Sequence, residues 1–259
     1  MLFFKRILNF KPGALGKLSD KRKSPRYAVG PNFPLRAAIT LSGGGNKANQ
    51  SAGRDWAGRL ANISRNGVNI ELHPAALTSP GEKSTLKLAL ANVKLDVPCR
   101  VVHFRVYSNY ATCGLELTLD GGKMEKAYLQ LLEAIAIGAS FAPATAAAFK
   151  RAPSGMVAEQ FRSEDKAQLF AWRDANSKKI DSFEMVMGEY CVRGDAKSPQ
   201  LEAYARKSPP SGKTALSDST YSLSPSVSEE VVQLFRWVIP NVSKAVPSDL
   251  RMFIHRFAT

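Results

Sequence analysis

Asn62-Ile63-Ser64-Arg65-Asn66-Gly67, followed at once by Val68-Asn69-Ile70-Glu71-Leu72-His73, decides the fold of this 259-residue chain. In the second half Val68, Ile70 and Leu72 alternate with Asn69, Glu71 and His73, the period of a strand buried on one face. The first half is an [D/N]xSxxG turn, in which Asn and Ser offer short polar groups and Gly67 permits a positive φ. The same period of two extends in both directions. Strands are expected over 33–41, 55–63, 67–73, 84–91, 94–106 and 110–118, with Leu86, Leu88 and Leu90 on the inner face of the fourth. The fifth changes phase at Val101-Val102, which predicts a bulge, and Pro98 places that strand at an edge or a bulge. Six short strands with polar turns indicate a small antiparallel barrel. Beyond Asp120-Gly121-Gly122, the residues Met124, Tyr128, Leu131, Leu132 and Ile135 recur at helical spacing, so a helix is expected to brace one barrel end.

Upstream lies Arg22-Lys23-Ser24-Pro25-Arg26, an RxxxR pair on a segment that Pro25 keeps out of helix. Guanidinium forks suit phosphate oxygens and the O6/N7 edge of guanine, and they stack on bases. Alone, RxxxR means little in a chain with 36 Lys and Arg. Followed by the serine-bearing turn and a β-rich stretch, it resembles the PilZ domain, a bacterial receptor for cyclic di-GMP, over roughly residues 20–138. The resemblance implies a six-stranded barrel followed by a helix, and cyclic di-GMP as the ligand. Carried over position by position, it nominates Arg22 and Arg26 from the arm, and Asn62, Ser64 and Gly67 from the turn. Lys21 and Lys23 would add positive field. Asn62 and Ser64 stand two apart on a strand and so face the same side.

Charge supports an anionic partner. The chain carries +14, and residues 1–50 hold ten Lys or Arg against one acid, Asp20. A basic nucleic-acid-binding protein is the rival reading, but no exposed aromatics interleave the basic residues and no long basic stripe follows residue 50. A third reading is a PilZ-like module that works through protein contacts without ligand. Cys99, Cys113 and Cys191 lack metal or disulfide spacing and read as buried free thiols, which with the absence of a signal-peptide core implies a cytoplasmic protein. The opening run Met1 to Phe10 interrupts its apolar residues with Lys5 and Arg6, so it reads as a docked or frayed terminus and leaves a membrane-surface contact open.

Residues 42–53, rich in Gly and polar side chains, read as a hairpin loop, because no GxxxxGK[ST] spacing accompanies the glycines. No GxSxG, HExxH or Cys/His metal spacing occurs, so neither catalysis nor a cofactor is expected. From 139 to 259 a small α+β domain of unknown function is expected. It should have strands at Leu169 to Trp172 and Phe183 to Val192, a linker over 207–225, a capping box at Ser226 to Glu229, and a last helix starting near Ser248. The expected layout is thus an extension over 1–19, a PilZ-like barrel over 20–138 and this second domain. The barrel would act as a second-messenger receptor that changes domain or partner contacts when the ligand orders its arm.

Overall fold

The computed structural model describes residues 2–7, 24–42, 53–144, 152–164, 167–206 and 220–258. The chain divides into two compact units, the first running to Glu133 and the second from Ala134 to Thr259.

The first unit contains β1 (Arg26–Ala28), β2 (Arg36–Leu41), β3 (Arg54–Ser64), β4 (Gly67–Leu72), β5 (Lys83–Leu90), β6 (Val93–Val106) and β7 (Ala111–Leu117). The order β3-β2-β5-β6-β7-β4 closes on itself through β3–β4, with every pairing antiparallel, and makes a six-stranded barrel. Alternation fills it: Ile39, Ile63, Ile70, Leu86, Val97 and Cys113 are fully buried, and each large aliphatic among them contributes about 1.5–3 kcal/mol. β3 is long enough to serve twice. Its first half pairs with β2 from Arg54 to Gly58, and the same edge, over Asn62 to Ser64, takes the short β1.

Two register shifts matter. The one between Val101 and His103 falls where the phase change predicted it. The other, between Leu60 and Asn62, was not legible in the sequence. Leu60 is buried, and an unbroken strand would turn Asn62 to the same inner face. The bulge at Ala61 reverses that, leaving Ile63 inside and Asn62 outside with Ser64. Pro98 pairs with Thr85 on β5, and its carbonyl accepts from Thr118 N at 2.8 Å where the β7 ladder ends. Its missing N–H therefore removes one terminal bond from the ladder.

Helix α1 (Lys123–Ala139) follows the Asp120-Gly121-Gly122 turn, with Tyr128, Leu131, Leu132 and Ile135 buried and Met124 partly exposed. The N-terminus docks on it. Phe4 is buried, Gln130 Oε1 accepts from Phe3 N and Phe4 N at 3.0 and 3.1 Å, and Gln130 Nε2 donates to Phe4 O at 2.7 Å.

The second unit is an antiparallel meander of β8 (Ala142–Pro143), β9 (Met156–Arg162), β10 (Gln168–Asp174), β11 (Ile180–Met187), β12 (Tyr190–Asp195), β13 (Ser198–Arg206) and β14 (Thr220–Ser222), in chain order across the sheet. α2 (Pro225–Val238) and α3 (Ser248–His255) pack on it, where Phe183 meets Phe235, Phe253 and Phe257. The expected strand from Phe183 to Val192 is two strands, because Gly188 takes a φ of +63° and turns the chain. β9 and β13 were not anticipated. The capping box is misplaced: α2 begins at Pro225 with Ser224 at its N-cap, so Ser226 lies inside the helix. Of the expected linker, 207–219 lies outside the described residues, as does 43–52 of the glycine-rich loop. No described helix is long and apolar enough to cross a membrane.

All three cysteines are buried and free. Burial pushes the Cys99 thiol from an ordinary 9.0 up to about 11 and the Cys113 thiol to about 12. Raised folded values stabilise the fold fully below the unfolded thiol range, and that stabilisation is lost as pH climbs through the folded values. Urea unfolding is therefore expected to show a plateau at neutral pH and a decline between about pH 9 and 12, and both thiols should ignore a maleimide at pH 7.5 until the barrel unfolds. Gln130→Ala, which removes three hydrogen bonds to the N-terminus, is expected to lower stability by about 1–3 kcal/mol in the same assay.

Candidate ligand-binding site

Pro25 precedes a strand, as its bias against helix requires, and β1 lays Arg26 opposite Ser64, Tyr27 opposite Ile63 and Ala28 opposite Asn62. Val29 N donates to Ala61 O at 3.1 Å, which makes 29–61 a hydrogen-bonded pair. By alternation, Arg26–Ser64 and Ala28–Asn62 are non-hydrogen-bonded pairs, with Cα atoms about 4.5 Å apart and side chains on one face. Tyr27 and Ile63 point inward, both buried. Arg26, Asn62 and Ser64 thus share the barrel's outer surface.

The neighbouring strands extend that surface. Asn62 is registered with Asn69, Asn69 with Gly114 and Gly114 with His103. A Cβ at Gly114 would collide with the His103 ring, so the bare glycine lets the imidazole lie against the strand. Asn69 Oδ1 is buried without a hydrogen-bond partner. One step along, Ser64 is registered with Gly67, Gly67 with Glu116 and Glu116 with Arg100. The Arg100 guanidinium holds the Glu116 carboxylate at 2.6 Å.

Ser64 is almost fully buried, and its Oγ donates to Gly67 O at 2.9 Å across the turn. With its proton engaged there, the hydroxyl has acceptor capacity left for an N–H donor. Ser64 O accepts from the fully buried Tyr128 hydroxyl at 2.6 Å. Burial holds that phenol well above its ordinary value, so it donates throughout the physiological range. Arg65 reaches Glu125 on the same helix at 3.5 Å. The turn is therefore clamped from α1 as well as from within.

Gly67 does not use the freedom that glycine permits at a turn. It does not have a positive φ, and neither do Arg65 and Asn66. Glycine is required there because a Cβ would lie 2.6 Å from the Leu115 carbonyl oxygen of β7. Close approach of a backbone, and not turn geometry, accounts for the residue.

Arg26 is exposed and, among the described residues, makes no hydrogen bond or ion pair. The structure thus brings together Arg26, Asn62, Ser64 and Gly67. Lys21, Arg22 and Lys23 lie outside the described residues. Asn69 and His103 were not singled out from the sequence, although the strand alternation that places Asn69 beside Asn62 was visible there. The described residues contain no group of His, Cys, Asp or Glu that could hold a metal.

Residues 20–134 match the family model described as the PilZ domain, and this part of the chain is a PilZ domain. No family model covers the C-terminal half, and no curated protein matches the chain. Among solved structures, the PilZ domain of CeSA from a cellulose-synthesizing bacterium is 15% identical, over 42% of this chain and 95% of that one, with a TM-score of 0.31. The PilZ domain of YcgR from Escherichia coli, with c-di-GMP, is 14% identical, over 43% of this chain and 87% of that one, with a TM-score of 0.33.

Two substitutions separate the clamp from the turn. Tyr128→Phe leaves a buried carbonyl without its hydroxyl and is expected to cost about 1–3 kcal/mol in urea unfolding. Gly67→Ala must push β4 from β7 and is expected to cost about 1–3 kcal/mol, read as a lowered melting temperature by circular dichroism.

Proposed function

We propose that the PilZ domain of this chain binds cyclic di-GMP on the outer face of the barrel, using Arg22 and Arg26 from the arm and Asn62, Ser64 and Gly67 from the β3–β4 turn. One observation carries the reading: β1 sets the exposed guanidinium of Arg26, which has no partner among the described residues, directly across from the serine of the turn. The dinucleotide has two phosphodiester charges and two guanines. Arg26 and Arg22 supply forks for phosphate oxygens or the O6/N7 edge and a plane for stacking, while Asn62 and Ser64 meet the remaining base edge. Gly67 contributes by letting β4 and β7 close beneath them.

Binding in this scheme draws the arm over the barrel. Lys21, Arg22, Lys23 and Arg26 place four cations within six residues, and the ligand's two negative charges offset their repulsion. The arm then covers a different part of the barrel surface, which is how the second unit or a partner protein would register the ligand. The chain is, on this reading, a non-catalytic second-messenger receptor.

Titration calorimetry with cyclic di-GMP tests it. A charge-assisted contact is worth about 1.5–3 kcal/mol, so Arg22→Ala and Arg26→Ala are each expected to weaken binding ~10–100-fold. Arg26→Ala should leave the melting temperature unchanged, since the side chain has no partner among the described residues to lose. Wild-type affinity in both variants removes the arm from the site. Equal binding of duplex DNA, with a steep dependence on salt, would assign the basic end to nucleic acid instead.

A further inference from the structure

β6 outlasts its neighbour. β5 pairs with it only as far as Lys83 opposite Arg100, and the last bonds on that side join Val101 to Gly81 and Glu82 at 2.8 and 2.9 Å. On the other side β7 continues to Val106 opposite Ala111. From Val102 to Val106, no strand among the described residues covers the edge facing away from β7. Tyr107 N donates to Tyr110 O at 2.8 Å, so alternation gives the N–H and C=O groups of Arg105 and His103 to β7. Those of Phe104 and Val106 point outward, toward the open edge.

The edge is also apolar and basic. Val102, Val106, Tyr107 and Tyr110 are 53%, 54%, 44% and 41% exposed, four of the seven large apolar side chains so exposed among the described residues. The two tyrosine rings stack with centroids 4.8 Å apart. Between Val101 and Leu115 the chain has His103 and Arg105 and no Asp or Glu, while Arg100, just before, is already held by Glu116.

We propose that this edge docks an extended, acidic and apolar segment of a partner protein as an added β-strand, in line with β5. Such a strand would satisfy the outward N–H and C=O groups, cover the valines with its apolar positions and set its carboxylates near Arg105. A lipid surface suits the exposed tyrosines and valines but leaves the edge groups unpaired in hydrocarbon. A second copy pairing antiparallel about Phe104 would set Arg105 opposite His103 of that copy and join two chains of +14 each. An acidic strand meets neither obstacle.

The test uses the full-length chain, labelled with nitrogen-15, and a capped heptapeptide alternating valine with glutamate. The expected result is slowed amide exchange at Phe104 and Val106, with a lysine-for-glutamate peptide binding at least ~10-fold more weakly. Phe104→Pro removes an N–H that β7 does not use, and should weaken the glutamate peptide ~10-fold or more. Arg105→Glu, at an exposed position, should reverse the preference toward the lysine peptide, whether or not the proline variant folds. Unprotected amides, equal binding of both peptides, or a charge reversal without effect overturns the proposal. So does a dimer, seen by sedimentation, that Phe104→Pro disperses. Tighter binding to phosphatidylglycerol vesicles than to the peptide, lost in Arg105→Glu, overturns it in favour of lipid.

Discussion

The hydrogen bond from the Tyr128 hydroxyl to the Ser64 carbonyl, 2.6 Å and wholly buried, fixes the outer face on which the rest depends. Ser64 is where three strands meet: it ends β3, faces Gly67 at the start of β4 and sits across from Arg26 on β1. A carbonyl at such a junction, left without a donor in the interior, would loosen all three. The donor comes from α1, some sixty residues downstream. Arg65 to Glu125 adds a second tie between the same turn and the same helix. The helix thus acts less as a plug for the barrel than as the anchor of one corner.

How much of this could be read from the residues? The barrel could, because the period of two runs through most of residues 33–119 and the phase break at Val101-Val102 announced its bulge. The bulge at Ala61 could not. Ala, Asn and Leu around it carry no local signal, and its cause is tertiary: Leu60 and Ile63 both need the core. Without it, the rule that residues two apart share a face holds for Asn62 and Ser64 but leaves unsaid which face that is. The second unit was half legible. Phe170 and Trp172 declared a strand, but Phe183 to Val192 ran together because hydrophobic residues continue on both sides of Gly188. The capping box failed for a simpler reason: Pro225 at the first helical position fixes the start two residues earlier than Ser226 suggests.

Charge on the outer face is arranged as well as abundant. Glu116 sits in the same cross-strand row as Arg26 and Ser64, where a bare carboxylate would compete with an anionic guest for the guanidinium. Arg100 occupies it at 2.6 Å. Both partners are more than half exposed, so the pair contributes little to stability, of the order of 0–1 kcal/mol. Its effect is local: the carboxylate in this row is already held by a guanidinium of its own.

The crowding of Gly67 against the Leu115 carbonyl also bears on how such motifs are compared between proteins. A position that admits no side chain because two strands nearly touch is maintained by barrel closure, whatever the barrel does. Ser64, whose hydroxyl donates to Gly67 O across the same corner, has a structural reason of its own to be a serine. On the proposed reading, a relative that did not bind would therefore still spell most of the turn, and its difference would fall instead at the positions of Arg22, Arg26 and Asn62.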